Sequence, residues 1–269
     1  MIHQAVILAA GRGSRLGAEG QGRPKCLQRI GERTILDIQL GTLHSLGVQR
    51  ICVVAGYCRE QVFECLARVP GSAGIVNPVF DETNSLYSLW LARHWLNGPF
   101  LCMNADVIAH PGILQRLATL EGTGLAYDSG SGQEEEHMKV HTDGLYLRAI
   151  SKQLPLDKSD GENVGFLKFD AEGGRAFLKT VDEMVRSGRA RSWTPEALNL
   201  LARHQPVRCV DIAGHPWIEV DFPEDLEAAR QRVWPLIRAR IPAPSLQEDL
   251  HAPVLQAGAP SALETREAI

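Results

Sequence analysis

The chain opens with an unbroken apolar run, Ala5–Ala9, and then switches abruptly to glycine and arginine. A run of that length closed by a turn signal predicts a strand buried on both faces. The same punctuation recurs. Arg50–Ala55 and "PFLCMNAD" predict two more buried strands, with a weaker one around Gly74–Val76. Between these runs the apolar residues fall at helical spacing. Ile35, Leu36, Leu40 and Leu43 mark a helix over Thr34–Leu46, and a second lies near Arg59–Arg68. Asn84 stands as the N-cap of "SLYSLWLARHWL", whose Leu86, Leu89 and Trp90 share a face. Strands alternating with amphipathic helices predict βαβ units and a mostly parallel sheet.

From about Thr123 to Phe169 the pattern is strand-like but irregular, with "SGSGQEEE" as a loop. Helices are predicted at Gly173–Arg186 and Pro195–Arg203, then strands "VRCVDIAG" and "WIEV", then a helix from Pro223 to about Arg238. After Arg240 the chain becomes rich in proline and alanine and loses periodicity. This divides it into a domain over 1–240 and a mobile or loosely docked tail over 241–269.

Composition narrows the classes. With 269 residues, 44% of them hydrophobic, the chain can bury a sizeable core. A formal net charge of −4 argues against a nucleic-acid partner, so an anionic ligand must be met by local cations. The six cysteines form no CxxC or metal-type spacing and several sit inside apolar runs, which points to buried thiols in a reducing cytoplasm. No apolar run approaches the ~20 residues needed to span a membrane, and the first residues lack a basic segment with a cleavage site. Composition is silent on oligomeric state; a homodimer is one possibility.

The chemistry starts in the loop after the first strand, "LAAGRGSRLGAEGQGRPK". Gly11 and Gly13 fit the start of a dinucleotide fingerprint, but Leu16 holds the third glycine position and "VVAGYC" ends without an acid for the ribose. A P-loop motif is also absent. What remains is a glycine turn carrying Arg12, Arg15, Arg23 and Lys25 against one acid, Glu19. Free backbone N–H groups and guanidinium groups at such a turn form an anion site, and a solvated surface loop is the bland alternative. Asp106 closes a buried strand, at the carboxyl edge where open α/β sheets bind ligands. Glu219 and Asp221, two apart in "WIEVD", point to one side if that segment is extended. Carboxylates converging from separate elements suit Mg²⁺. The competing reading makes "DFPE" a capping box, with Asp221 at the N-cap and Glu224 at N3.

These residues carry a resemblance. "VILAAGRGSRL" followed by "RPKCL" resembles the L-A-A-G-x-G-x-R and P-K-x-L signature of nucleotidyltransferases that join a nucleoside triphosphate to a phosphorylated small molecule. "NPVFDETNSLYSLW", "LCMNADVI", "GENVGFLKF" and "PWIEVDFPEDL" resemble segments of the phosphocholine cytidylyltransferase-like branch, so the similarity runs from about Val6 to Arg230. It implies an α/β fold of Rossmann-like (GT-A-like) nucleotidyltransferase type, with a mostly parallel mixed sheet flanked by helices and a small β-rich lid inserted at about 123–169. It also implies transfer of a nucleotidyl group, CTP favoured as donor, to a phosphorylated acceptor such as phosphocholine or an aminoalkyl phosphonate, with release of pyrophosphate. Ala10 and Gly11 would approach the nucleotide through their backbone, with Arg12 and Gly13 in the same loop, while Arg15 and Lys25 would meet its phosphates. Gly56 would allow close backbone approach, and Thr83, Asn84 and Ser85 would read the base. Asp106, Asp221 and Glu219 would hold Mg²⁺, Glu219 directly or from behind. For the acceptor, Lys139 and Lys152 would hold its phosphate, with solvated lysines as the alternative. Tyr127, Asp128, Trp193 and Trp217 would face an ammonium group, with core packing the alternative for each aromatic. Two rival functions stay open: a sugar-1-phosphate nucleotidyltransferase using UTP, GTP or dTTP, and a nucleotide-sensing domain without catalysis.

Overall fold

Period-two alternation in the first strands divides the core into two layers. In the computed structural model, which describes residues 2–131, 134–242 and 253–255, β1 (Gln4–Ala9) sends Ala5, Ile7 and Ala9 to one face of the sheet and Val6 to the other. After two short strands, β2 (Arg29–Ile30) and β3 (Arg33–Thr34), comes α1 (Ile35–Ser45). Thr34 caps it in a capping box with Asp37, which is why the helix begins where it does. Next are β4 (Arg50–Ala55), α2 (Arg59–Leu66), β5 (Ser72–Val76), α3 (Ser85–Ala92), β6 (Phe100–Asn104), β7 (Val107–Ala109) and α4 (Pro111–Ala118). The first face packs on α1, α2 and α4 through residues such as Leu40, Val62 and Leu117. The second packs on α3 and on the later helices α5 (Ala171–Arg186) and α6 (Thr194–Ala202) through Leu89, Phe177 and Leu198.

The middle region supplies β8 (Thr123–Asp128), β9 (Lys139–Asp143), β10 (Tyr146–Ser151) and β11 (Gly161–Phe169), and β12 (Val207–Asp211) follows the helices. The main sheet runs β14-β5-β4-β1-β6-β11-β8-β12-β10-β9, where β14 (Val254–Leu255) adds an edge strand parallel to β5. β1 is parallel to both β4 and β6, whereas β11 is antiparallel to β6 and β8. β9 pairs with β10 and also with β11, so this end of the sheet curls back on itself. β8 and β11 of the irregular region thus belong to the main sheet, and the β9–β10 hairpin stands at its far end.

A two-stranded ribbon of β7 and β13 (Trp217–Glu219) sits beyond the end of β6. The helix expected from Pro223 is present as α7 (Pro223–Ala228), a π-helical turn over Ala229–Val233, and α8 (Trp234–Ile237). It covers the ribbon through a third core group that includes Ile108, Val220, Leu226 and Trp234. Of the expected tail, residues 243–252 and 256–269 lie outside the described residues, as do 132 and 133 of the "SGSGQEEE" loop. No helix among the described residues is long and apolar enough to cross a membrane. All six cysteines are free.

Candidate active site

The carboxyl ends of β1, β4 and β6 meet where successive crossovers leave β1 in opposite directions, the usual ligand crevice of an open α/β sheet. A cleft of about 690 Å³ opens there. Ala10, Gly11 and Gly13 line it from the loop after β1, Thr83, Asn84 and Ser85 from the start of α3, and Asp106 and Glu219 from the far wall. Gly13 lies in the left-handed region (φ 66°), and an added Cβ would come within 3.2 Å of the Lys25 Cβ. The turn therefore keeps the lysine stem close to the loop.

Asp106 leaves the end of β6 in a turn held by a residue that the sequence did not single out. Buried Gln39 of α1 donates from Nε2 to the carbonyls of Asn104 (2.8 Å) and Val107 (2.9 Å). Pairing of β13 with β7 sets Glu219 opposite Val107, and the Val220 N–H donates to the Asp106 carbonyl at 2.9 Å. Carboxylate oxygens of Asp106, Glu219 and Asp221 consequently lie within 4.8 Å of one another. Lys25 bridges two of them, donating to Asp106 at 2.9 Å and also to Asp221. Arg15 donates to the other Asp221 oxygen at 2.6 Å, faces Glu136 at 3.7 Å, and stacks over Phe222.

The electrostatics follow from this crowding. Burial pushes the Glu219 carboxyl up to about 8, and the charges on Asp106 and Asp221 add to the shift. Burial works against the charge on Lys25, but the same two aspartates outweigh it and its pKa rises. Asp106 Oδ1 is buried and has no hydrogen-bond partner among the described residues. Three convergent carboxylates, one with an unclaimed oxygen and an ammonium lodged between two of them, suit a hard divalent cation bound through oxygen.

Capping does not occupy Asp221. Phe222 is the N-cap of α7, and Asp225, one residue beyond the expected Glu224, accepts from the Asp221 and Phe222 N–H groups at 2.9 and 2.7 Å. The Asp221 side chain is thereby left to Lys25 and Arg15.

Other expected residues fall into three groups. Thr83 spends its hydroxyl within its own turn, donating to the Val79 carbonyl and accepting from Asn77, while Asn84 caps α3 and Ser85 Oγ accepts from Thr194. Gly56 and Arg12 stand beside the cleft rather than lining it. An added Cβ on Gly56 would lie 2.6 Å from Phe80 and 2.7 Å from the Ala10 carbonyl, and Arg12 lies over the Tyr57 ring. At the far end Asp128, Lys152, Trp193 and Trp217 all line the cleft. Trp217 Nε1 donates to Asp128 at 2.8 Å, and the Lys152 ammonium lies 5.4 Å from the Trp193 ring centre.

Two expectations need correction. Lys139 does not face a phosphate: it is 2% exposed, and its ammonium donates to backbone carbonyls of Glu134, Glu135 and His137. The buried ammonium thus finds its partners in the turn that leads into β9, and ties that turn to the strand. Tyr127 packs against the second core layer instead of lining the cleft. Glu162, Asn163, Ser131 and His137, which the sequence did not flag, line the far end with Asp128. "GENVGF" held the only signal, two polar residues inside a strand that is buried throughout.

Residues 5–210 match the family described as MobA-like NTP transferase domain. Over 251 residues, 86% of this chain, the sequence is 32% identical to a CMP-5'-(3-aminopropyl)phosphonate synthase of Streptomyces rubellomurinus, of whose length it spans 39%. It is 36% identical to a choline-phosphate cytidylyltransferase of Haemophilus influenzae over 196 residues, which is 71% of this chain and 76% of that protein. Among solved structures it resembles the inositol-1-phosphate CTP transferase from T. maritima, with a TM-score of 0.73 at 20% identity, covering 86% of this chain and 98% of that one.

Proposed function

Since the chain belongs to the family of MobA-like NTP transferase domains, we propose that it is a Mg²⁺-dependent cytidylyltransferase. It would move CMP from CTP to a phosphorylated small molecule, either phosphocholine-like or an aminoalkyl phosphonate, and release pyrophosphate. The observation that carries this reading is the convergence of Lys25, Asp106 and Asp221 at the head of the cleft, with one Asp106 oxygen unclaimed. Relatives named for CTP-dependent reactions support the choice of donor.

In this reaction an oxygen of the acceptor phosphate or phosphonate attacks the α-phosphorus of CTP. A new P–O bond forms there as the bond to the bridging oxygen of the β-phosphate breaks. The attacking oxygen is already ionised near neutral pH, so the residues need only position the reactants and hold charge. Lys25 and Arg15 exchange their carboxylate partners for phosphate oxygens and steady the leaving pyrophosphate. The backbone of Ala10, Gly11 and Gly13 leaves room for the triphosphate, and Asn84 and Ser85 border the base. Held by Asp106 and Asp221, with Glu219 beside them, Mg²⁺ would supply the charge neutralisation that brings two polyanions together.

The test is pyrophosphate release from each of the four common NTPs with a panel of phosphorylated acceptors, in Mg²⁺ and in EDTA. CTP, acceptor and Mg²⁺ should all be required. A preference for UTP or dTTP with glucose 1-phosphate, or activity surviving in EDTA, would overturn the reading.

A further inference from the structure

The far end of the cleft gathers two carboxylates, Asp128 and Glu162, beside two indoles, Trp193 and Trp217. Glu162 is 7% exposed, yet no lysine or arginine among the described residues pairs with it. Its carboxyl is contacted by the Ser131 hydroxyl and faces His137 Nδ1 at 3.1 Å. Asp128 stands nearby with both oxygens engaged, by Trp217 Nε1 and by the Gly130 N–H. Asn163, also 7% exposed, borders the cleft too, and its Oδ1 has no partner among the described residues. Among the described residues His137 is the one basic group paired with Glu162, so the carboxylate has no permanent positive charge beside it, and a buried carbonyl without a donor is costly too.

The chemistry of the missing partner can be narrowed. A quaternary ammonium has no N–H and is held by aromatic faces around it. Here the Lys152 ammonium already lies over the Trp193 ring, which leaves Trp217 as the one other indole among the described residues lining this end of the cleft, a single ring rather than an enclosure. A primary ammonium has three donors and needs acceptors, which the facing pair Glu162 and Asp128 offers here.

We propose that this end of the cleft binds the primary ammonium of the acceptor, with Glu162 as its main counter-charge, so that aminoalkyl phosphates or phosphonates are accepted and trimethylammonium compounds are disfavoured. The proposal rests on the cytidylyltransferase reading for the reacting end of the acceptor alone. Because the ammonium and trimethylammonium acceptors carry the same charge, a preference between them reports hydrogen bonding rather than net attraction.

The experiment compares phosphoethanolamine, phosphocholine and ethyl phosphate in two ways: turnover with CTP and Mg²⁺, and direct calorimetric binding without nucleotide, in wild type and Glu162→Gln. Phosphoethanolamine should exceed phosphocholine and ethyl phosphate at least tenfold in kcat/KM and in affinity. Glu162→Gln should erase that advantage and leave the KM for CTP unchanged. The wild-type comparison stands even if the variant does not fold. Binding preference for phosphoethanolamine without turnover would reject the enzymatic reading and keep this one. Phosphocholine equal to or better than phosphoethanolamine, no binding of any of the three, or a folded Glu162→Gln that keeps the preference would each overturn the proposal.

Discussion

Replacing Lys25 by methionine probes the link between the lysine and the acidic cluster. The change keeps a linear side chain but removes the ammonium that Asp106 and Asp221 share. Breaking a buried ion pair from one side costs ~3–5 kcal/mol. The side chains concerned are 15%, 23% and 22% exposed, so solvent relieves part of the loss, and the lower figure of about 3 kcal/mol applies. For a domain of this size that corresponds to a fall in Tm of roughly 6–12 °C. A divalent cation should then replace the missing charge. At a hundredfold excess over its dissociation constant it restores about 2.7 kcal/mol. Thermal and urea unfolding of wild type and Lys25→Met, each in EDTA and in Mg²⁺, measure both effects. The variant should melt low in EDTA and recover in Mg²⁺, while the wild type responds less. A metal-free variant as stable as wild type, or equal responses of the two to Mg²⁺, would refute the electrostatic reasoning. Catalysis should not return with the ion, because the lysine is also assigned to the phosphates.

Arg15→Ala should lower kcat/KM for CTP by two orders of magnitude or more while shifting stability by less than about 1 kcal/mol, since its pairs are exposed; denaturant curves alongside kinetics separate the two effects. Gly56→Ala forces a Cβ against Phe80 and the Ala10 carbonyl. It should cost ~1–3 kcal/mol and disturb nucleotide affinity, a result that a normal melt would contradict. Lys139→Met leaves three carbonyl contacts unmade behind the segment that carries Glu136 and His137. The KM for the acceptor should rise while that for CTP holds, and the opposite split would place Lys139 at the nucleotide. Asp225→Ala removes the cap of α7 and should cost ~1 kcal/mol in a melting assay, with Asp221 less well placed and kcat lowered.

What could be read from the sequence was whatever the local pattern determines. β1, β4 and β6 are continuous apolar runs, and Asn84 does cap α3, because strand burial and N-capping are written in adjacent residues. The ribbon strand β7 and helix α4 were not anticipated, although His110 caps that helix and Pro111 occupies its first turn. Three-residue strands have too few positions to show a period. Spacing put Glu219 and Asp221 on one side, whereas their convergence with Asp106, far earlier in the chain, was implied by the family resemblance. The shift of the cap from Glu224 to Asp225 came down to a single residue of register. Lys139 and Tyr127 misled because side-chain type says nothing about which face of a sheet a residue takes, which the pairing of β9 with β10 and β11 decides for Lys139 and that of β8 with β11 and β12 for Tyr127. Glu162 became visible only when Ser131 and His137, from an earlier loop of the chain, were brought beside it.

The pairing of Arg15 with Asp221 and Glu136, and of Lys25 with Asp106 and Asp221, makes the resting cleft an internal salt. Free inorganic phosphate, or a nucleotide stripped of its counter-ion, finds Arg15 and Lys25 already compensated. To enter it must evict carboxylates that then have nothing to neutralise them. A polyanion arriving with its own divalent cation brings the replacement along, and the exchange becomes a double decomposition in which every ion finds a new partner. If the cleft takes phosphate as proposed, the same pairs would act as a filter that disfavours bare anions relative to anions arriving with a divalent cation.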